Sequence, residues 1–134
     1  MKLLTMHKGS CLCGAVKFEV EGSLSSAEAC HCNQCRKWTG HFLACAEVPR
    51  SALEIHGSDR VSWFHSSDKA RRGFCSSCGA SLFFDPIDNE KHNWIGISMG
   101  AFDTPTGTEL ALHIFVAEKG DYYEITDGLP ENEY

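Results

Sequence analysis

Eight cysteines stand in a chain of 134 residues, and seven of them fall into three tight groups: Cys11 with Cys13, Cys30 with Cys32 and Cys35, and Cys75 with Cys78. Pairs this close would close only tiny loops as disulfides and would staple little of a fold. Thiolates at C-x-C and C-x2-C spacing instead converge naturally on a metal ion. An all-sulfur set favours zinc, with iron and copper also compatible. Cys11, Cys13, Cys75 and Cys78 together supply four thiolates, a complete tetrahedral set with no position left for chemistry, so they are expected to hold a structural zinc. Gly14 and Gly79 follow these pairs, and glycine accepts the positive φ that lets a chain turn tightly around an ion. Cys30, Cys32 and Cys35 supply only three thiolates. A tetrahedral ion held by three protein ligands keeps one corner open, which marks a reactive site. Two zinc ions per chain are expected, and the three-cysteine ion is the catalytic one.

An open corner on a sulfur-bound zinc suits an incoming thiol, because the ion stabilises the deprotonated sulfur. A thiolate beside a small carbonyl carbon is a competent nucleophile. Three thiolates on a dication already leave the site about one charge negative, which favours carrying a thiolate over polarising a carbonyl. A fourth thiolate adds to that charge, so nearby cations should help. Arg36, Lys37, Arg71 and Arg72 are the candidates to receive carboxylates of the thiol. His31, between two ligands, points elsewhere when both bind. It reads either as a hydrogen-bond donor to substrate or as a solvated loop histidine. His31, Arg36 and Lys37 are therefore the substrate-binding candidates. Cys45 lies in an apolar alternation and reads as a small core residue, with a fourth-ligand role as the alternative. His113, in the most apolar run, reads as a hydrogen-bonded core histidine.

The elements that must position these groups are short. Val16, Phe18 and Val20 alternate with Lys17, Glu19 and Glu21, a half-buried antiparallel strand. Further strands are expected over 41–48, 53–56, 61–65, 81–84, 94–99 and 110–116, the last as a central strand. Residues 1–9 read as a lead-in and 23–29 as a loop or ragged strand. A polar turn follows 61–65, and Asp85-Pro86 is expected to break its strand. A short helix over 33–38 would bring Cys32 and Cys35 onto one face. About eight short strands with little helix indicate a mostly β fold. No repeat or linker interrupts residues 1–134, which read as a single domain.

Hydrophobic residues make up 43% and the net charge is −6, with no basic run, which argues against nucleic acid and anionic membranes as partners. Residues 1–8 lack an apolar leader and no stretch approaches a membrane span, so a cytoplasmic address is expected.

The order C-x-C-G, C-H-C-x2-C-R-K, F-C-x2-C-G, then H-I-F-V and D-G-L-P, from Gly9 to Pro130, resembles the glutathione-dependent formaldehyde-activating enzyme family, which includes the centromere protein V domain. The resemblance implies a β-tent fold of short antiparallel sheets, shared with methionine-R-sulfoxide reductases and Rab exchange-factor accessory proteins. It implies a structural zinc on Cys11, Cys13, Cys75 and Cys78 and a catalytic zinc on Cys30, Cys32 and Cys35. It also implies a carbon–sulfur lyase joining glutathione to formaldehyde as S-(hydroxymethyl)glutathione. The rival readings are a non-catalytic zinc module for a protein partner and a redox enzyme of methionine sulfoxide reductase type. The redox reading would have to use Cys45.

Overall fold

The computed structural model describes residues 5–88 and 90–134. The first four residues of the expected lead-in, and the reading of them as leaderless, lie outside the described residues. Among these residues ten strands and one short α-helix, besides four single 3-10 turns, run in order: β1 Met6–Ser10, β2 Lys17–Glu21, β3 Ala27–Cys30, α1 Asn33–Thr39, β4 Leu43–Pro49, β5 Leu53–His56, β6 Val61–His65, β7 Ala70–Cys75, β8 Ser81–Pro86, β9 Trp94–Ser98 and β10 Leu110–Ile114. The fold is mostly β, as the punctuated alternation requires. Among the described residues no helix is long and apolar enough to cross a membrane.

Strands β1, β2 and β5 form a three-stranded sheet, and the others a seven-stranded sheet in the order β10-β3-β4-β9-β8-β7-β6. Pairing is antiparallel except between β3 and β10, which run parallel. Period-2 alternation gives the larger sheet two different faces. Val48, Leu82, Phe83, Ile95 and Ile97 meet Val16, Phe18 and Val20 in one core. Phe18 sits edge-on to Phe83 and Phe102, with ring centroids 5.8 and 5.2 Å away. Gly9 lets β1 cross this core, since a Cβ there would stand 2.3 Å from both the Ala101 carbonyl oxygen and Phe18 Cζ. The intervening residues, among them Cys30, Cys45, Arg72, Phe84 and Trp94, line a cavity on the opposite side of the sheet.

Several elements depart from expectation, each through tertiary pairing that local sequence does not carry. Met6–Ser10, read as lead-in, pairs antiparallel with β2 from Met6↔Glu21 to Ser10↔Lys17. Within the stretch read as a loop or ragged strand, Ala27–Cys30 is a strand, with Ala27 and Ala29 buried. After the expected polar turn, Ala70–Cys75 forms a strand that the sequence does not announce, and it buries Arg72. Strand β8 runs through Asp85 and Pro86 because the Asp85 carboxylate is paired, with Arg50 at 2.5 Å and Arg71 at 2.7 Å. Strand β10, expected to be central, lies at the edge of its sheet. Its apolar character reflects cover from the chain's own end: the His113 N–H donates to Pro130 O at 3.0 Å and the Asn132 N–H to His113 O at 2.8 Å.

Candidate functional site

The β1–β2 connection and the turn between β7 and β8 bring Cys11, Cys13, Cys75 and Cys78 together, with all four Sγ atoms within 4.8 Å of one another. The Cys11–Cys13 and Cys13–Cys75 sulfur separations are 3.7 and 3.8 Å. A tetrahedron with metal–sulfur bonds of about 2.3 Å has edges of about 3.8 Å, so this spacing fits a tetrahedral thiolate centre. The chain is also arranged for charged sulfurs. Val16 N–H donates to Cys11 Sγ at 3.3 Å, and Ser77 and Cys78 N–H donate to Cys75 Sγ at 3.3 and 3.5 Å. A hydrogen bond from the Ala80 backbone, followed by one from Cys13, pulls the Cys78 thiol down to about 6. Cys11 and Cys75 belong to the hydrophobic core, so the cluster is part of the packing that joins the two sheets.

The second cluster forms where β3 hands over to α1. Cys30 ends the strand, Cys32 is the helix N-cap and Cys35 lies in its first turn. Cys32 takes extended dihedrals and its sulfur accepts the Cys35 N–H at 3.3 Å, the part an N-cap side chain normally plays. Gly40 closes the helix in the left-handed region at φ 86°. The three sulfurs lie within 4.8 Å of one another. Hydrogen bonds from Cys30 and Cys35 hold the Cys32 thiol far below its ordinary value, and the bond to Cys32 pushes Cys30 far above. Three sulfurs sharing protons in this way are prepared to lose them to a cation. Cys45 is not in the cluster. It points into the same cavity, and burial pushes its thiol up to about 12, which makes it a poor thiolate.

All three cysteines of this cluster line the wall of a cavity of about 610 Å³. Trp94 stacks on Phe84 at 6.2 Å and both rings line it. Arg72 is 3% exposed, and each nitrogen of its guanidinium donates one hydrogen bond. It donates from Nη1 to Cys35 Sγ at 3.5 Å, from Nη2 to Gln34 Oε1 at 3.4 Å and from Nε to Ser66 Oγ at 3.1 Å, while lying 5.1 Å over the Phe84 ring. Lys69 also borders the cavity, and so do Glu28 and Glu47. Burial, then Glu28, raises the Glu47 carboxyl.

Of the four cations read from the sequence, only Arg72 reaches this cavity. Arg71 pairs with Asp85 and stacks on Trp63 at 3.9 Å. Arg36 binds the helix to the turn after β10, donating from Nε to Glu118 O at 2.9 Å. Lys37 borders a separate, smaller hollow of about 230 Å³ with Trp38 and Phe64. His31 does not line the cavity either. It is wholly buried behind the ligand loop, hydrogen-bonded at Nδ1 to the Tyr123 hydroxyl and at Nε2 to His113 Nδ1, 2.8 Å away. Burial and then His113 hold its imidazole down at about 4, so the ring is neutral. His113 is buried and hydrogen-bonded, its Nε2 lying 2.7 Å from Asp127 Oδ2. Sequence reasoning missed Lys69, Glu28, Glu47 and Phe84. The signal for Glu28, Glu47 and Phe84 was period-2 placement on β3, β4 and β8, which is readable once the strands are known; Lys69, in the turn before β7, carried none.

The family model for the glutathione-dependent formaldehyde-activating enzyme matches residues 6–118. A Schizosaccharomyces pombe protein described as an uncharacterized lyase is 32% identical over 81 residues, 58% of this chain and 56% of that protein, so the chain spans little more than half of it. A Halomonas elongata protein provisionally named a glutathione-dependent formaldehyde-activating enzyme is 30% identical over 127 residues, 88% of this chain and 80% of that protein. With its matched stretch containing both cysteine clusters, the chain belongs to the glutathione-dependent formaldehyde-activating enzyme family.

Proposed function

We infer that this protein is a zinc-dependent carbon–sulfur lyase of the S-(hydroxymethyl)glutathione synthase type, joining and parting a glutathione-like thiol and a small carbonyl such as formaldehyde. One observation carries the reading: Cys30, Cys32 and Cys35 converge on the wall of a large cavity, and Cys45 stands apart from them. Zinc is the ion assigned to both clusters, one per cluster, from the chemistry of all-thiolate donors. A zinc ion on Cys30, Cys32 and Cys35 supplies stabilisation of an incoming thiol in its deprotonated form.

The remaining work falls to the chain. Arg72 offsets the negative charge of the cluster through Cys35 and so lowers the cost of admitting another anionic sulfur. Lys69 offers a positive group for a substrate carboxylate, and Glu28 with Glu47 offers negative groups for a substrate ammonium. Phe84 and Trp94 present apolar walls that limit water around the reacting carbon. In the forward direction a bond forms between thiol sulfur and carbonyl carbon. The carbonyl π bond opens, and the proton lost by the thiol ends on the new hydroxyl. The reverse direction returns thiol and carbonyl. The high-lying Cys45 thiol disfavours a sulfoxide-reductase reading.

The test is nuclear magnetic resonance of glutathione and ¹³C-formaldehyde at equilibrium, where enzyme should speed exchange into S-hydroxymethylglutathione. Unchanged exchange with fully metallated protein would overturn the reading. In the same assay Arg72→Gln should raise the KM for thiol about 10–100-fold, the equivalent of losing one hydrogen bond to a charged group. The four-cysteine cluster should keep its ion in that variant.

A further inference from the structure

We propose that the C-terminal segment, residues 119–134, is a clamp on the three-cysteine site, acting through a directed hydrogen-bond chain from Tyr123 through His31 and His113 to Asp127. The proposal rests on the reading that Cys30, Cys32 and Cys35 hold zinc. It goes beyond that reading in assigning positioning roles to His113, Tyr123 and Asp127. Two of these, Tyr123 and Asp127, lie past the residues that the family model matches.

Asp127 Oδ2 lies 2.7 Å from His113 Nε2, and Asp127 Oδ1 accepts the Leu129 N–H at 3.0 Å. An ionised carboxylate only accepts, so His113 carries its proton on Nε2. In the proposed chain its Nδ1 accepts. The partner at 2.8 Å is His31 Nε2, which therefore donates. That leaves His31 Nδ1 bare and facing the Tyr123 hydroxyl, which donates to it. Every polar atom of the buried His31 ring is then committed, and its tautomer is set from a residue 96 positions away in sequence, Asp127.

His31 is the residue between two ligands, so fixing its ring fixes the loop that aims Cys30 and Cys32. The backbone acts in the same sense, since the His31 N–H donates to Ile114 O at 3.0 Å and Cys30 pairs with Ile114. The same segment also holds the turn after β10. There Phe115, a cavity-lining residue, sits in the left-handed region at φ 56°, a conformation that a bulky side chain resists. Val116 and Ala117 N–H donate to Asn132 O and Glu133 O, each at 3.1 Å, and Phe115 packs edge-on against Tyr134 at 6.3 Å. Lys119 Nζ donates to Tyr123 O at 2.5 Å and ties the start of the segment to the tyrosine. Residues 119–134 thus touch both the ligand loop and the cavity wall without supplying a ligand.

The experiment follows zinc release from the full-length, zinc-loaded protein to a chromogenic chelator, with no substrate present, so its outcome is independent of lyase activity. Asp127→Ala and Tyr123→Phe should each speed loss of the three-cysteine ion about 10–100-fold, the range for removing an outer partner of a metal site. Loss from the four-cysteine cluster should not change. Asp127→Asn, whose side-chain oxygen still accepts from His113, should stay close to wild type. In the wild-type protein, ¹⁵N spectra of the imidazoles should show His31 and His113 protonated on Nε2 and bare on Nδ1. The proposal is overturned if both ions are released at wild-type rates in Asp127→Ala and Tyr123→Phe, or if both are loosened alike. It is equally overturned if His113 carries a proton on Nδ1. Should Asp127→Ala fail to fold, Tyr123→Phe and the wild-type spectra decide the matter.

Discussion

Replacing Cys75 with serine should abolish cooperative folding. Cys75 is fully buried, belongs to the core cluster and accepts two backbone N–H groups. Through the sulfur cluster it links the β1–β2 connection to the turn between β7 and β8. No single core side chain contributes more than about 3 kcal/mol by burial. An ion held by four thiolates contributes about 10–16 kcal/mol in small structural sites, as much as or more than the whole net stability of a typical domain, about 5–15 kcal/mol. Serine supplies no thiolate, and it leaves a smaller, polar group where a sulfur stood in the core cluster. Circular dichroism should show no sigmoidal melt, and the recovered protein should hold no metal at either cluster. A wild-type melting curve for Cys75→Ser would refute the structural role assigned to the four-cysteine cluster.

This long-range link was legible because a tetrahedral ion demands four donors, and two distant pairs met that demand. The ligand loop was legible for a more local reason: Cys30, Cys32 and Cys35 lie within six residues, so their convergence needs little help from the rest of the fold. The strands at Lys17–Glu21, Leu53–His56 and Val61–His65 could be read because turn residues bound them. Arg72 could not. In sequence it looks like one charge in a polar stretch, and its burial arises only when β7 pairs with β8 and brings Gly73 opposite Phe83 and Arg72 opposite Phe84. The His31 hydrogen bonds were equally hidden, since its partners stand 82 and 92 residues away and no periodicity connects them. Chemistry carried by residue type was therefore apparent early. Chemistry carried by who is buried beside whom appeared only with the sheet order.

Cys32→Ser should separate the reaction from the fold. Cys32 is the N-cap of α1, and its sulfur accepts the Cys35 N–H. Serine is among the best N-cap residues, so the helix keeps its cap and the substitution leaves the hydrophobic core untouched, because Cys32 is not a core residue. The melting temperature should therefore stay near wild type. The three-cysteine cluster, in contrast, loses a third of its thiolates, and a neutral hydroxyl is a poor substitute on a soft-donor site. Zinc should fall from two ions per chain to one, and S-hydroxymethylglutathione exchange should drop by more than about 100-fold, beyond the 10–100-fold that loss of an outer partner costs. Metal analysis, calorimetry and the ¹³C exchange assay on one preparation measure all three quantities. If Cys32→Ser unfolds as Cys75→Ser does, the division into a structural and a reactive cluster is wrong. If it keeps both ions and full exchange, the chemistry does not occur at this loop. The expected result, an intact fold with one ion and no exchange, follows from a local fact: one side chain caps a helix, which serine can do, and holds a metal, which serine cannot.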